Sequence, residues 1–597
     1  MCYEFPLRSS SEELEAENRD VLILLFIFLM TTTLFAQVGE DGLTYVQRKQ
    51  KWLRSVPEPR RGLSEHRKRL YFSAWLQKGI YNAAVSDALH SILGDFWLTG
   101  GRSHHGYMIA LIVKYGSKGL RVIDSDDEMT VRNKYENDLI LNSGVFEDLN
   151  PNKQLWAMAG IYLYAHYFDK DIKLPIYGHR RGIDPKHLDL AEQNWPTFSH
   201  DGRTYRFGQG PYNAKQLTED YIKNKLNLWI LDGNREMDSL NYHRAFVGSM
   251  LLIYDMAEDR EFQKRARMGA ELAMLDAMMD FGGSEWGGTI GRTDFRRMAK
   301  VSDFPFYEYF GKSTEDDGRP DIKVLYTFDY EPPPLLIDIA VLSDEDDDYF
   351  HFHKEYHNSG LKHRSGKGKW NYVTPLYNLG SNVGGHNSGW QVTIRGDGPG
   401  RFIRLWINDL EHIEDKNETR YLGNAGNQYR NALFAQIGAN PVLHEAKERQ
   451  DWDEDLSDGG WYFKRLNKVY VAIGTTHNSA SVELGIKNVD YDSFTSFKNA
   501  VKKNARLTES SYTTSKGVSI DWDEHCGLNS PGDCAFPFER METISKDGKM
   551  ISWQNKVMTI RYHGKTLTYD FNNWRADDPP KSDPPPAPPS GVTIEVD

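Results

Sequence analysis

The first half of the chain carries apolar residues at three- and four-residue spacing, with polar residues between them. This spacing places the apolar side chains on one face of a helix. It predicts helices over 66–93, 103–116, 151–168, 215–230, 239–258 and 261–280. Within 239–258, the expected buried stripe consists of Ala245, Phe246, Met250, Ile253 and Ala257. Only Asp259 and Arg260 separate this segment from the helix predicted over 261–280, and so short a connection indicates a helical hairpin.

The pattern changes from about residue 370, where apolar and polar residues begin to alternate. Alternation of this kind predicts strands over 390–396, 401–409, 469–477 and 557–571. The last segment contains a His-Gly turn at His563, and 545–553 contains an Asp-Gly turn at Asp547. Both turns are typical of antiparallel hairpins. Helices followed by strands indicate an α+β chain.

Composition narrows the class of protein. The chain has 597 residues, of which 39% are hydrophobic and 26% charged, as in an ordinary globular protein. Its net charge of −13 argues against non-specific binding of nucleic acid or an anionic membrane. Aromatic residues reach 13%, which suits stacking on sugar rings, although aromatic side chains also fill large cores.

The two ends differ in composition from the rest of the chain. The apolar run 21–36 has the length of a signal-peptide core and is short for a membrane span. Six acidic residues precede it, against Arg8 and Arg19, which is atypical of such a leader. We expect cleavage near Ala36, a secreted or periplasmic protein, and no membrane contact after cleavage. The segment 576–597 is proline-rich and is predicted to be a spacer.

Several shorter features each have two interpretations. Cys526 and Cys534 form a disulfide or remain free thiols. The acidic run 344–348 fits a solvated linker better than a calcium site, because it lacks spaced ligands. Three basic clusters either line an anionic cleft or belong to solvated loops: 179–187, 292–300 and 362–369.

Three segments carry a family resemblance. The first is NPNKQLWAMAGIYLYAHYF (150–168), and the second is DGNREMDSLNYHRAFVGSMLLIYDMAED (232–259) with GGTIGRTDF (287–295). The third is NLGSNVGGHNSGWQVTIRGDG (378–398), with RYLGNAGNQYRNALFAQ (420–436) downstream. Over roughly 65–570 the chain resembles polysaccharide lyases and heparinase II/III-like proteins, including related oligosaccharide dehydratases. The resemblance implies an (α/α) toroid followed by an antiparallel β-sandwich. The implied division is a signal peptide over 1–36, a catalytic toroid over 37–350, a β-sandwich over 351–575 and a tail over 576–597.

The resemblance also implies roles for individual residues. Asn152 matches the residue that binds the uronate carboxylate, Tyr242 the catalytic tyrosine, and His386 the histidine presented by the sheet domain. Where several of these lyases have histidine after the asparagine, this chain has Lys153, so His243 or His105 is an alternative base. The full set of expected catalytic residues is Tyr242, His386, Asn152 and His243. The expected substrate-binding residues are Arg292, Lys153, Trp156, His105 and Arg244.

Elimination from a uronate requires such residue types. The C5 proton is weakly acidic, and neutralising the adjacent carboxylate stabilises the charge that develops when the proton leaves. Asparagine and arginine can neutralise it, the latter with two hydrogen bonds. A tyrosine or histidine then takes the proton, and a tyrosinate base needs nearby cations such as Arg292 or Arg244 to lower its pKa.

Other interpretations remain open. The same proton abstraction would serve a dehydratase that removes water from a terminal uronate. Glu236 with Asp238 or Asp232 would suit a glycoside hydrolase. A glycan-binding protein without catalytic activity would use the aromatic residues to bind sugars and would not carry out the elimination. Each expected site residue also has an ordinary structural role, such as a helix cap at Asn152. The expected partner is an anionic oligo- or polysaccharide. No cofactor is expected, a structural divalent metal is allowed without support from the sequence, and metal use and the oligomeric state are left open.

Overall fold

The computed structural model describes residues 38–98, 105–136, 151–174, 197–206, 211–233, 240–282, 285–286, 306–311, 323–341, 348–357, 367–383, 389–397, 401–408, 426–437, 441–521 and 540–577. The expected leader, the acidic run up to 347, Cys526 and Cys534 lie outside these residues, as does the tail beyond 577. Among the helices that are described, none combines the length and the apolar character needed to cross a bilayer.

The first half of the described chain is helical, as its spacing predicts. The helices are α1 Tyr45–Ser55, α2 Glu65–Gln77, α3 Ala83–Leu98, α4 His105–Tyr115, α5 Ser125–Tyr135, α6 Pro151–Tyr167, α7 Ala214–Asp232, α8 Leu240–Met256, α9 Arg260–Met279, α10 Phe306–Phe310 and α11 Pro334–Ala340. The single helix predicted over 66–93 is instead two helices. Gly79 takes a positive φ of 71° and Asn82 accepts from the backbone N–H groups that begin α3, so the chain turns between them.

Helices α4, α6 and α8 run in the same direction. The rings of Tyr107 in α4 and Trp156 in α6 are 3.8 Å apart, and both lie against Gly248 of α8. Seven residues further along both α4 and α8, Lys114 Nζ lies 3.1 Å from Asp255 Oδ2. Since the paired positions advance together, α4 and α8 are parallel.

The end of α6 confirms its direction, and the intervening helices run the opposite way. Tyr167, the last residue of α6, donates a hydrogen bond to the carbonyl of Met256, the last residue of α8. The ring of Trp229, near the end of α7, contacts Phe246 near the start of α8. Asp259 caps the first turn of α9, which returns along α8. The predicted stripe on α8 is buried throughout.

Six short strands connect parts of the helical half: β1 Lys173–Leu174, β2 Phe198–His200, β3 Arg203–Tyr205, β4 Tyr212–Asn213, β5 Phe281–Gly282 and β6 Glu285–Trp286. A 3-10 helix, Val324–Thr327, precedes α11.

The second half contains a long antiparallel sheet of eleven described strands. In chain order these are β7 His351–His357, β8 Lys367–Val373, β9 Tyr377–Val383, β10 Gly389–Arg395, β11 Phe402–Asn408, β14 Val442–Glu448, β22 Met541–Ser545, β23 Gly548–Gln554, β24 Val557–Tyr562, β25 Lys565–Asp570 and β26 Arg575–Ala576. Their order across the sheet is β14-β11-β10-β9-β8-β7-β22-β23-β24-β25-β26. The predicted His-Gly turn joins β24 to β25, where His563 and Gly564 both take positive φ.

A second antiparallel sheet, in the order β12-β13-β18-β17-β16-β15, faces one surface of the long sheet. Its strands are β12 Gly426–Tyr429, β13 Ala432–Gln436, β15 Glu454–Asp458, β16 Trp461–Leu466, β17 Val469–Thr475 and β18 Ser479–Ile486. Between the two sheets, Val392 and Leu405 share an apolar core with Leu433 and Val471. Helix α12 Phe494–Asn504 and a small sheet complete this half: β19 Arg506–Leu507, β20 Ser511–Thr513 and β21 Ser519–Asp521.

The opposite surface of the long sheet packs against the helices, and α9 contacts it at two places. Near the start of α9, the guanidinium of Arg265 lies 4.9 Å from the ring centre of Trp574, beside β26. Near its end, Asp276 and Asp280 form ion pairs with Lys369 on β8. Helix α9 therefore crosses the long sheet from one edge to its middle strands. The predicted α+β arrangement, with helices first and large antiparallel sheets second, is confirmed.

Candidate functional site

Most of the predicted site residues lie at one end of the helical layer. His105 begins α4, Asn152 and Lys153 belong to the first turn of α6, and Tyr242 and His243 belong to the first turn of α8. Because these three helices are parallel, their first turns share one end of the layer. The side chains of these five residues lie outside the described part of the structure.

The segments that carry Arg292 and His386 lie outside the described residues, but the elements that flank them are described. His386 belongs to the connection between β9 and β10. Strand β6 precedes the segment that contains Arg292, and it lies against β10. Strand β6, after which the segment containing Arg292 begins, therefore lies close to β10, the strand that follows His386.

Two predicted substrate-binding residues have described side chains. Trp156 is only 2% exposed. A Cβ atom at Gly248 would lie 2.6 Å from the Trp156 ring, so the missing side chain at this glycine lets α6 and α8 approach closely. The ring of Trp156 is a core contact between parallel helices. Arg244, one turn into α8, is half-buried.

The same end of the helical layer meets the long sheet. Helices α7 and α9 run against α8, so their last turns lie at the end where α8 begins. From the last turn of α7, the carbonyl of Trp229 accepts a hydrogen bond from Arg540, which directly precedes β22. From the last turn of α9, the carbonyl of Met279 pairs with the His351 ring on β7. The helix turns that carry the expected catalytic residues therefore lie near the boundary between the helices and the sheet.

The surface of the long sheet that faces this boundary is polar, although it is excluded from water. Its residues alternate along β7 to β11 with the apolar side chains of the opposite surface. We call this set the polar face: His351, His353, Glu355, Lys369, Asn371, Asn378, Gln391, Thr393 and Arg404, each at most 1% exposed. Polar groups removed from water are costly unless they are hydrogen-bonded or paired.

The densest part of the polar face is an ionic cluster around Lys369. The Lys369 ammonium lies 2.6 Å from Asp280 Oδ2, 3.0 Å from Glu355 Oε2 and 3.1 Å from Asp276 Oδ1. Arg540 donates a hydrogen bond to the other oxygen of Glu355. We call these groups, with His353, the boundary cluster: Asp276, Asp280, His353, Glu355, Lys369 and Arg540.

The electrostatics of the boundary cluster follow from its burial. Removal from water raises the pKa of Asp276 well above its usual value, and the negative charge of Glu355 raises it further. Lys369 acts in the opposite direction. Because a buried ion pair is held against a large desolvation cost, losing one partner is expected to be far more damaging than losing an exposed pair.

At the other end of the same surface lies an aromatic pair. The rings of Trp406 on β11 and His444 on β14 are stacked, with centres 5.4 Å apart. Burial lowers the pKa of His444, which favours the neutral form of its ring. Neutral imidazole can accept or donate a single proton, which suits either a structural contact or proton transfer.

The polar face was not predicted. Lys369 ends the basic cluster 362–369, for which a cleft lining or a solvated loop was expected, whereas its side chain is fully buried among carboxylates. A signal was present in the sequence: in KWNYV, Lys369 and Asn371 alternate with Trp370 and Tyr372. In a strand, alternating positions share a face, so this pattern could have identified a polar surface opposite an aromatic one.

Comparisons with protein-family models, with curated proteins and with solved structures found no match to this chain.

Proposed function

We propose that the protein is a carbohydrate-active carbon–oxygen lyase, which cleaves uronic-acid-containing glycans by β-elimination to give 4,5-unsaturated products. One observation carries the proposal. The first turns of α4, α6 and α8, which hold His105, Asn152 and Tyr242, share the end of the helical layer that meets the polar face of the long sheet.

This arrangement suits an acidic sugar. The first turn of a helix has free backbone N–H groups and a positive partial charge, which together favour a carboxylate. Three parallel helices contribute three such ends on one side of the layer. An asparagine at the start of α6 would hydrogen-bond the uronate carboxylate, and the arginines expected at the site, Arg244 and Arg292, would lower the barrier to losing the C5 proton.

The remaining roles follow from the chemistry of elimination. Tyr242 would take the C5 proton or deliver a proton to the leaving oxygen, and His386, between β9 and β10, would approach from the sheet. The alternating directions of α6 to α9 support a helical-hairpin layer of the kind from which an (α/α) toroid is built. The two facing sheets would form its β-sandwich partner.

The proposal is tested with purified protein and a panel of ulvan, alginate, glucuronan and glycosaminoglycans. A new near-ultraviolet absorbance is expected on at least one of them. Tyr242→Phe should lower that rate by about 10²- to 10⁴-fold, since positioned proton transfer contributes that much. The matched control is Tyr254→Phe in the same helix, because Tyr254 lies near the opposite end of α8. No new absorbance on any substrate, or equal losses in the two variants, would count against the proposal.

A dehydratase is the second candidate, which Lys153 favours because an altered site would suit a chain end. Its product would weigh one water less than the substrate without being shortened, so mass spectrometry distinguishes the two reactions. Saturated products with new reducing ends would indicate hydrolysis instead. Oligosaccharide binding without turnover, unchanged in Tyr242→Phe, would indicate a glycan-binding protein.

A further inference from the structure

The boundary cluster brings carboxylates from α9 and β7 together out of contact with water. Asp276, Asp280 and Glu355 supply three carboxylates, against Lys369 and Arg540. All five side chains are at most 3% exposed. Buried carboxylates are costly unless each is paired, hydrogen-bonded or bound to a metal ion, so the arrangement of the ligand atoms in this cluster matters.

Three ligand atoms converge within the cluster. One atom each from Asp276, His353 and Glu355 lies within 4.8 Å of the other two. His353 Nε2 is 3.9 Å from Glu355 Oε2. The His353 ring is fully buried, and this nitrogen makes no hydrogen bond within the described part of the chain. This buried imidazole nitrogen therefore lies beside the Glu355 carboxylate without a hydrogen-bond partner among the described residues.

We propose that Asp276, His353 and Glu355 bind a divalent transition-metal ion, of which zinc best fits the donors. One imidazole nitrogen and two carboxylate oxygens are ligands that zinc accepts. Ligand atoms in a tetrahedral zinc site are about 3.3 Å apart, from bonds of about 2.0 Å. The distance between His353 Nε2 and Glu355 Oε2 would have to close by roughly half an ångström to reach that value.

The surroundings of His353 fit the role of a metal ligand. Its Nδ1 lies 2.8 Å from the hydroxyl of Thr543, on the neighbouring strand β22. Ligating histidines commonly use the second ring nitrogen in this way, which fixes the ring orientation. Lys369 would keep its contacts with Asp280 and with Oδ1 of Asp276.

A proton shared between Asp276 and Glu355 is the competing arrangement. It would serve the two carboxylates but would leave His353 Nε2 without a ligand. A metal ion serves all three atoms at once, which is why the geometry favours it. Because Asp276 lies on α9 and His353 and Glu355 lie on β7, the ion would tie the helices to the long sheet. This role is separate from the proposed elimination.

The experiment measures metal content without any substrate. Full-length protein is treated with EDTA, dialysed and titrated with zinc chloride, and bound zinc is measured by inductively coupled plasma mass spectrometry. One equivalent of zinc and a rise in the unfolding temperature are expected. His353→Gln should lose that equivalent, whereas the control His444→Gln, on the same sheet surface, should retain it.

A second measurement covers the case in which His353→Gln does not fold. X-ray absorption of the zinc-loaded wild-type protein should show only nitrogen and oxygen donors, and Asp276→Asn should weaken zinc binding by at least tenfold. The proposal is overturned if the wild-type protein takes up no zinc, if zinc is bound through sulfur, or if both variants bind as tightly as the wild type. None of these results depends on whether the protein is a lyase.

Discussion

Over β8 to β11, the two surfaces of the long sheet are both largely excluded from water, but their chemistry is opposite. On β10 and β11, Val392 and Leu405 face the second sheet and belong to an apolar core. The neighbouring residues Thr393 and Arg404 face the helices and are equally buried. One strand therefore separates two interiors of different polarity.

The difference shows that burial and stabilisation are not the same quantity. Each apolar side chain on the first surface contributes through its removed area, at about 25 cal/mol per Å². On the second surface, hydrogen bonds and ion pairs replace contacts with water, so the net contribution of each is small. A buried polar surface can therefore be extensive while each of its groups contributes little net stability.

The largest expected effect tests the polar surface. Lys369→Met removes the cation shared by Asp276, Asp280 and Glu355, and leaving a buried carboxylate uncompensated should cost about 3–5 kcal/mol in the free energy of unfolding. Urea denaturation measures this loss. The control is Lys565→Met, whose pair with Asp338 is more than half exposed at the lysine and should contribute at most about 1 kcal/mol. Equal losses in the two variants would show that the boundary cluster is not electrostatically special.

The next effect tests the apolar surface. Leu405→Ala creates a cavity between the two sheets and should lower the free energy of unfolding by about 2–5 kcal/mol. Any catalytic rate per folded molecule should stay unchanged, because the residue faces away from the helices. Denaturation and activity are measured on the same preparation. A large loss of activity at full folding would contradict the assignment of the two surfaces.

A reciprocal exchange on β10 compares the surfaces directly. Val392→Thr places a hydroxyl in the apolar core and should cost about 1–3 kcal/mol. Thr393→Val removes the hydroxyl that accepts a hydrogen bond from Arg404, at 3.3 Å, and should cost about 1 kcal/mol. The two residues are neighbours and the exchanges are nearly isosteric. If neither Val392→Thr nor Thr393→Val changed the free energy of unfolding measured by urea denaturation, the contrast between the two surfaces would be wrong.

The smallest expected effect is on the pH dependence of the free energy of unfolding. Burial lowers the pKa of His444 in the folded state. As pH falls through about 6.5, the unfolded chain takes up a proton that the folded ring resists, so this histidine favours folding at higher pH and opposes it at lower pH. The stability of the wild type relative to His444→Gln should therefore decline between about pH 8 and pH 5. The exposed His477 provides the control, His477→Gln, which should leave this pH profile unchanged.

Periodicity predicted the elements well because it reports one-sided burial. Helices α4 and α6 to α9 begin and end within two residues of their predicted bounds, and β10 and β11 agree equally well. The break between α2 and α3 was missed, because the apolar spacing continues through Gly79 and only the local turn interrupts it.

The candidate site was only partly predictable. The common end of α4, α6 and α8 could be anticipated from the resemblance, which assigned roles to residues in their first turns. The boundary cluster could not, because ion pairs between Asp276 and Lys369 join positions 93 residues apart. The alternation of polar and apolar residues predicts which side chains share a surface of a strand, but it does not predict which helix covers that surface. The burial of Trp156 likewise depends on Gly248, which lies on another helix.

Helix α9 contacts the long sheet at both of its ends, through Arg265 on Trp574 and through Asp276 and Asp280 on Lys369. If the long sheet unfolded, α9 would lose these contacts, and if the helices unfolded, the sheet would lose them as well. The helices and the sheet should therefore melt in one cooperative transition, and a fragment that stops before β7 would expose two carboxylates that no longer have their lysine.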